Sequence, residues 1–187
     1  TSDTGGFFVT ERDAKYPDGL KSNDYKELYS RWFQFSAFTP VFRAHGTNVP
    51  REVWQFGEKG TPSYDNQVKY IHLRYRLLPY IYSMSHQVTA NNYTLLRGLA
   101  MDFTTDTRTF DIDNAYMFGT SLLVRPVFHP QSEEKNISVY LPEHNGEYWY
   151  DFWTGKAFEG GREQMQANTL DILPLYVNCL LDTSPSP

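Results

Sequence analysis

Apolar residues follow two rhythms along the chain, and the change falls near residue 92. Between Asn23 and Asn92 they recur every three or four residues, the period of a helix with one buried face. Tyr25, Tyr29, Trp32 and Phe33 mark the first such face. The run Ser22-Asn23-Asp24 can cap that helix, with Glu27 placed to close a capping box. The helix must stop near Thr39-Pro40, because the residue before a proline avoids the helical region. A second helix is predicted from near Asp65, with Val68, Ile71, Tyr75, Leu78 and Tyr82 as its apolar stripe. Pro79 lies inside that stripe and is predicted to kink the helix and free the Tyr75 carbonyl. Between the helices, PVFRAHG reads as a short buried strand that ends in His45-Gly46. The next stretch, TNVPREVWQFGEKGTPSYDN, is a loop of about 20 residues, a length that signals function or disorder in a compact domain. Its Trp54 favours function.

From Tyr93 onward the rhythm is that of strands. LLRGLAMDF and SLLVRPVF are apolar runs bounded by turn residues, and ISVYLP alternates. GEYWYDFWTGKAFEGG has the shape of two aromatic strands around Thr154-Gly155, and LPLYV closes the series. Short strands at even spacing argue for an antiparallel sandwich. The strand–helix–strand–helix order before them suggests the last two β/α units of a (β/α)8 barrel, with Asp3 at the tip of one strand and His45 at the next. The expected fold is therefore α/β plus all-β, with 1–92 as the C-terminal part of a TIM barrel and 93–187 as an antiparallel β-sandwich.

Composition narrows the partners. The 187 residues carry a net charge of −5 and no Lys/Arg-rich run, which gives no footprint for nucleic acid. The apolar runs are far short of the roughly 20 residues that span a bilayer, so no membrane partner is expected. The single Cys179 excludes an internal disulfide and a cysteine-based metal site, and leaves the compartment open. The unusual number is the aromatic count, with 14 Tyr, 13 Phe and 4 Trp. Aromatics build cores in any protein, and they are also the flat surfaces on which sugar rings stack.

Candidate chemistry is sparse. GxSxG and HExxH are absent, and the five histidines show no metal-ligand spacing. The Asp-rich stretch TTDTRTFDIDN lacks the glycine and closing glutamate of a calcium loop, so it reads as a solvated connection. His72, His86, His129 and His144 read as packed or surface residues. His45 differs: it follows an apolar run, with Arg43 two residues earlier and a glycine after it that allows close backbone approach. At the N-terminus Asp3 precedes Gly5-Gly6 and two aromatics, a combination suited to a loop that touches a ligand.

The string RWFQFSAFTPVFRAHG, with SDTGGF before it and RYRLLPYIYS and AYMFGTSLLVRPV after it, resembles glycoside hydrolase family 31, in the family's order. The resemblance implies retaining hydrolysis of α-linked sugars on a (β/α)8 barrel followed by β-sandwich domains. SDTGGF resembles the end of the seventh barrel strand, usually Asp-Ile-Gly-Gly-Phe. It implies Asp3 in the polar floor of the sugar pocket and Phe7 as an aromatic wall, with Thr4 a mild departure. PVFRAHG resembles the eighth strand, whose histidine hydrogen-bonds sugar hydroxyls. That role falls to His45, while Arg43 supports the pocket. His-Gly at this point, in place of His-Asn, resembles the α-xylosidase side of the family. Trp54 either lines an outer subsite or pins the loop.

Retaining glycosidases need two carboxylates about 5–5.5 Å apart. In this family both are aspartates upstream of the Asp-Gly-Gly-Phe segment, so no catalytic residue is expected within this chain, and none is assigned to Asp3. The implied partners are an oligosaccharide or glycoside and the remainder of the same polypeptide, with no cofactor and no metal. The tail NCLLDTSPSP departs from the family's small-residue strand. Alternatives are an α-glucosidase of the same family, a non-catalytic carbohydrate-binding fragment, and the product of a degraded gene.

Overall fold

A computed structural model of the protein describes residues 2–11, 14–144, 146 and 148–178. Helix α1 spans Asn23–Ser36 and is capped by Ser22, whose hydroxyl accepts from the Tyr25 amide at 3.3 Å. With Ser22 as the cap, Glu27 falls beyond the position that closes a capping box. Its carboxylate accepts from the Gln131 amide at 2.9 Å and lies 3.7 Å from Arg31. Tyr25, Tyr29 and Phe33 are buried along one face, at centroid spacings of 6.2 and 6.0 Å. Trp32 is half-buried. The helix closes in tight turns before Pro40, and Arg74 collects the carbonyls of Ala37, Thr39 and Pro40 at 2.6–3.0 Å.

Helix α2 spans Pro62–Arg76 and α3 spans Leu78–Asn91. Proline in the first turn starts each one, where its missing N–H costs nothing. The predicted kink is thus a break at Leu77, bridged by Leu77 N to Leu73 O and Ile81 N to Leu77 O, both at 2.9 Å. Asn92, left-handed at φ 53°, ends α3.

The apolar stripe predicted for these helices is not the buried face. Tyr75, Leu78 and Tyr82 are 69, 46 and 82% exposed. The buried residues of α2 are Ser63, Asn66, Gln67, Tyr70 and Leu73. Part of this polar face goes inward because the segment 168–173 meets it with backbone groups, while neither amide atom of buried Gln67 is paired. Asn66 donates to Leu170 O at 2.6 Å, Lys69 donates to Asp171 O at 2.6 Å, and Tyr70 accepts from Leu173 N at 2.8 Å.

The second half holds a six-stranded antiparallel sheet in the order β1-β2-β3-β8-β5-β6 and a two-stranded ribbon of β4 and β7. The strands are β1 (Leu96–Gly98), β2 (Tyr116–Phe118), β3 (Leu122–Val124), β4 (Asn136–Leu141), β5 (Tyr148–Asp151), β6 (Ala157–Glu159), β7 (Arg162–Ala167) and β8 (Leu175–Asn178). Ile137, Val139 and Leu141 of the ribbon and Trp149, Leu123 and Leu175 of the larger sheet belong to one buried core. Only the start of LLRGLAMDF is strand, since Leu99–Asp102 forms one helical turn, α4. Strand β7 carried no sequence signal, because REQMQA has no buried residue. Its place is set by pairing with β4 over six residues. The departing tail, residues 179–187 with Cys179, lies outside the described residues.

Candidate functional site

The site forms where residues 3–7 meet residues 41–51, at the C-terminal end of α1. Asp3 to Gly6 is a tight turn closed by Gly6 N to Asp3 O at 2.8 Å. Gly5 sits at φ +76°, and a Cβ there would lie 2.4 Å from the Tyr29 ring, so only glycine fits. Thr4 is fully buried. Its hydroxyl donates to Arg43 O and lies against Ser36 Oγ, both at 2.8 Å. The departure from the family's isoleucine therefore ties the turn both to α1 and to the segment that carries Arg43 and His45.

Four of the five sequence-predicted residues come together here. Arg43 Nη2 stands 3.4 Å from Asp3 Oδ1, with both side chains partly exposed. The Phe7 and His45 rings pack at 5.3 Å between centroids, tilted by 52°. The result is one open corner that offers a carboxylate, a guanidinium, an imidazole and an aromatic face. Trp54 stands apart on a single 3-10 turn, Val53–Phe56, and is 68% exposed. Phe56, not Trp54, anchors that loop by stacking on Tyr29 at 4.0 Å.

Neither 3–7 nor 41–46 is a strand, and 41–46 is largely exposed rather than buried. Parallel barrel strands are paired and covered on both sides. Within the described residues these segments have little more than each other, joined by Thr47 N to Phe7 O at 3.0 Å.

Arg51 is the residue that sequence reasoning missed. Its guanidinium donates to the carbonyls of Thr4 (3.2 Å), Gly6 (2.6 Å) and Phe7 (3.2 Å) and to the Tyr25 hydroxyl (3.1 Å). The Arg51 carbonyl accepts from the Tyr29 hydroxyl at 3.3 Å. Burial pushes the Tyr25 hydroxyl's pKa up, against the lowering pull of the Arg51 charge. The available signal was an arginine inside a long loop next to a His-Gly pair, with nothing in it to name a partner.

An apolar groove of about 550 Å³ lies elsewhere, between the Leu28, Trp32 and Phe35 face of α1 and residues Tyr116, Val127 and Phe128. In the Asp-rich stretch, Asp106 serves as a cap. It accepts from the amides of Arg108 (3.3 Å) and Glu143 (2.9 Å) and from the Tyr140 hydroxyl. His144, read as a surface residue, is half-buried with its ring edge-on to Phe103 at 5.5 Å. Among the described residues no three His, Cys, Asp or Glu side chains converge on a metal position. None of the described helices is long and apolar enough to cross a membrane.

The helical half and the sheet half match two consecutive domains of one class of sugar-cleaving enzymes. Residues 1–84 match the glycosyl hydrolases family 31 TIM-barrel domain, and residues 92–179 match the glycosyl hydrolase family 31 C-terminal domain. The chain belongs to glycoside hydrolase family 31. It is 46% identical over 178 residues to an alpha-xylosidase of Saccharolobus solfataricus, covering 95% of this chain and 22% of that protein. Neutral alpha-glucosidase C of Homo sapiens is 36% identical over 160 residues, covering 84% of this chain and 17% of its own length. The crystal structure of an alpha-xylosidase from Xanthomonas citri superposes with a TM-score of 0.83 at 40% identity, over 94% of this chain and 19% of that one. The chain thus spans about a fifth of the relatives it matches.

Proposed function

We propose that residues 1–187 form the C-terminal part of a retaining α-glycoside hydrolase that acts on non-reducing-end α-linked sugars, with α-xylosides preferred over α-glucosides. The observation that carries the reading is the corner in which Asp3, Arg43, Phe7 and His45 meet. Asp3 and His45 hydrogen-bond sugar hydroxyls, Phe7 forms the wall against the ring, and Arg43 holds Asp3. Trp54, outside this corner, lines an outer subsite. The xyloside preference rests on the 46% identity to an alpha-xylosidase and on the His45-Gly46 pair. Residues 1–92 contribute to the barrel, residues 93–187 form the sandwich, and the nucleophile and acid/base belong to the part of the polypeptide upstream of this segment.

Steady-state kinetics of the complete polypeptide on aryl α-xylosides and aryl α-glucosides test this. The expected result is a higher kcat/KM for the xyloside, and equal values would remove the preference. His45→Ala is expected to lower kcat/KM by about tenfold or more, the loss of one or two sugar hydrogen bonds. Residues 1–187 alone are expected to hydrolyse neither substrate. Turnover by that segment would overturn the assignment of the carboxylates to the rest of the polypeptide.

A further inference from the structure

The position directly after His45 is filled by another residue's side chain. A Cβ built on Gly46 would lie 2.0 Å from Arg51 Nη2 and 2.5 Å from Arg51 Cζ and Nε. Such distances cannot exist in a packed structure, and the obstructing group is not a loose side-chain end. It is the same guanidinium that donates to Thr4 O, Gly6 O, Phe7 O and the Tyr25 hydroxyl. A methyl group at 46 and the guanidinium in its present place exclude one another.

We infer that Gly46 and Arg51 act as one unit: Arg51 is a positioning residue that holds the 4–7 turn, and so Asp3 and Phe7, against His45, and glycine at 46 is the condition for it to do so. A planar guanidinium suits this task because its donors form a rigid fork that can reach several carbonyls at once. Arg51 gives the carbonyls of this turn three bonds. Beyond Arg51, its ties are the Thr4 hydroxyl bonds, the Asp3–Arg43 contact, the seat of Gly5 against the Tyr29 ring and Thr47 N to Phe7 O. Phe7 reaches His45 only through a ring contact at 5.3 Å, so any drift of the 4–7 backbone moves the wall of the corner directly. Residue 46 thereby sets the pocket from behind, without facing sugar itself. A side chain there evicts Arg51, and the glycine after His45 reports that the clamp is present. This inference deepens the sugar-pocket reading proposed above and rests on it for its kinetic consequence, but not for the coupling between the two residues.

The test is a double-mutant cycle in the complete polypeptide, with Gly46→Ala, Arg51→Ala and both together. Each single change is expected to lower kcat/KM for an aryl α-xyloside by about tenfold, mostly through KM, and the pair to be no worse than the poorer single, since coupled sites fail additivity. Guanidinium ion added to Arg51→Ala is expected to restore part of the lost kcat/KM, and the loss itself is expected in KM with kcat little changed, a split that a merely structural arginine would not show. Losses that multiply in the double variant would overturn the inference, as would an unchanged KM in Arg51→Ala. Arg51→Lys keeps the charge without the fork and is expected to fall between wild type and Arg51→Ala. Should the wild-type enzyme not turn over the xyloside, the proposed function fails. The coupling is then read from the melting temperatures of the four proteins, which must be non-additive for the inference to stand.

Discussion

Helices α1 and α2 lie side by side and both turn polar residues toward residues 168–171, yet the faces marked by their apolar spacing meet different fates. The Tyr25, Tyr29 and Phe33 face of α1 is buried in an apolar cluster, as its spacing demands. Of the equivalent stripe that continues from α2 into α3, Ile71 packs against the core but Tyr75, Leu78 and Tyr82 point outward, and Ser63, Asn66 and Gln67 go inward. The difference lies in what each face meets. Against α1 stand other side chains, among them Phe56 and the Gly5 turn. Against α2 stands a length of backbone, residues 168–173, whose carbonyls need donors. Asn66 is buried where the opposing surface is main chain that takes its donor, whereas the Gln67 amide is buried with neither of its polar atoms paired.

Four changes probe that contrast. The largest effect is expected on the apolar side, where Tyr29→Ala removes a fully buried ring stacked on Phe56 and should cost about 3–5 kcal/mol in denaturant unfolding. A loss below about 1 kcal/mol would mean the stripe does not hold α1. On the polar side, Asn168→Leu removes the acceptor 2.5 Å from Arg31 Nη2 and leaves a buried guanidinium short of a partner. It should cost about 2 kcal/mol, and burial already lowers the pKa of Arg31. If Asn168→Leu were neutral, the polar junction would be filler rather than an anchor.

The third change sets polar against apolar through pH. Burial works to raise the Asp106 carboxyl, but the bonds from the Tyr140 hydroxyl and the Glu143 and Arg108 amides outweigh it and hold its pKa below the usual value. Stability from this cap is full above the unfolded carboxyl value and is lost as pH falls through the folded one. Burial first, then the Asp106 bond, push Tyr140 up to about 12, so its share is lost as pH rises from about 10 toward 12. Asp106→Asn should cost about 1 kcal/mol at neutral pH and flatten the acid limb of a melting-temperature profile. An unchanged acid limb would refute the cap's contribution, whereas Tyr29→Ala should lower the profile without reshaping its acid limb. The smallest effect is expected for Tyr82→Ser on the exposed stripe, below about 0.5 kcal/mol in the 187-residue chain. A loss above that in a polypeptide with the relatives' full length would show that the face is covered there.

The same contrast decides what could be read in advance. The buried face of α1, the break near Pro79, the end of the helices at Asn91 and the alternation in β4 all follow from local spacing and breaker residues, so they were legible. So was the gathering of Asp3, Phe7, Arg43 and His45, because motif residues carried it. The inward face of α2 was not, since nothing in PSYDNQVKY says that a backbone loop about a hundred residues later will need donors. Arg51 and β7 escaped for the same reason: their places depend on distant main chain and leave no period in the sequence. Trp54 drew attention by size, while Phe56 two residues on does the anchoring.

The junction between the two halves has a consequence for how such proteins can change over time. Gln34, Asn66 and Lys69 donate to the carbonyls of Leu170 and Asp171, and Tyr70 accepts the Leu173 amide. All four read main chain, while Leu173 adds a fully buried side chain to the core and the Asp171 carboxylate stands 3.9 Å from Lys69. The loop's length and path are under constraint together with a few of its letters, Asn168 and Leu173 above all. A sandwich from a distant relative should therefore seat on this helical half if it keeps that path, an asparagine to meet Arg31 and an apolar residue in the place of Leu173. That makes the two halves exchangeable parts joined by a fitting with few required letters.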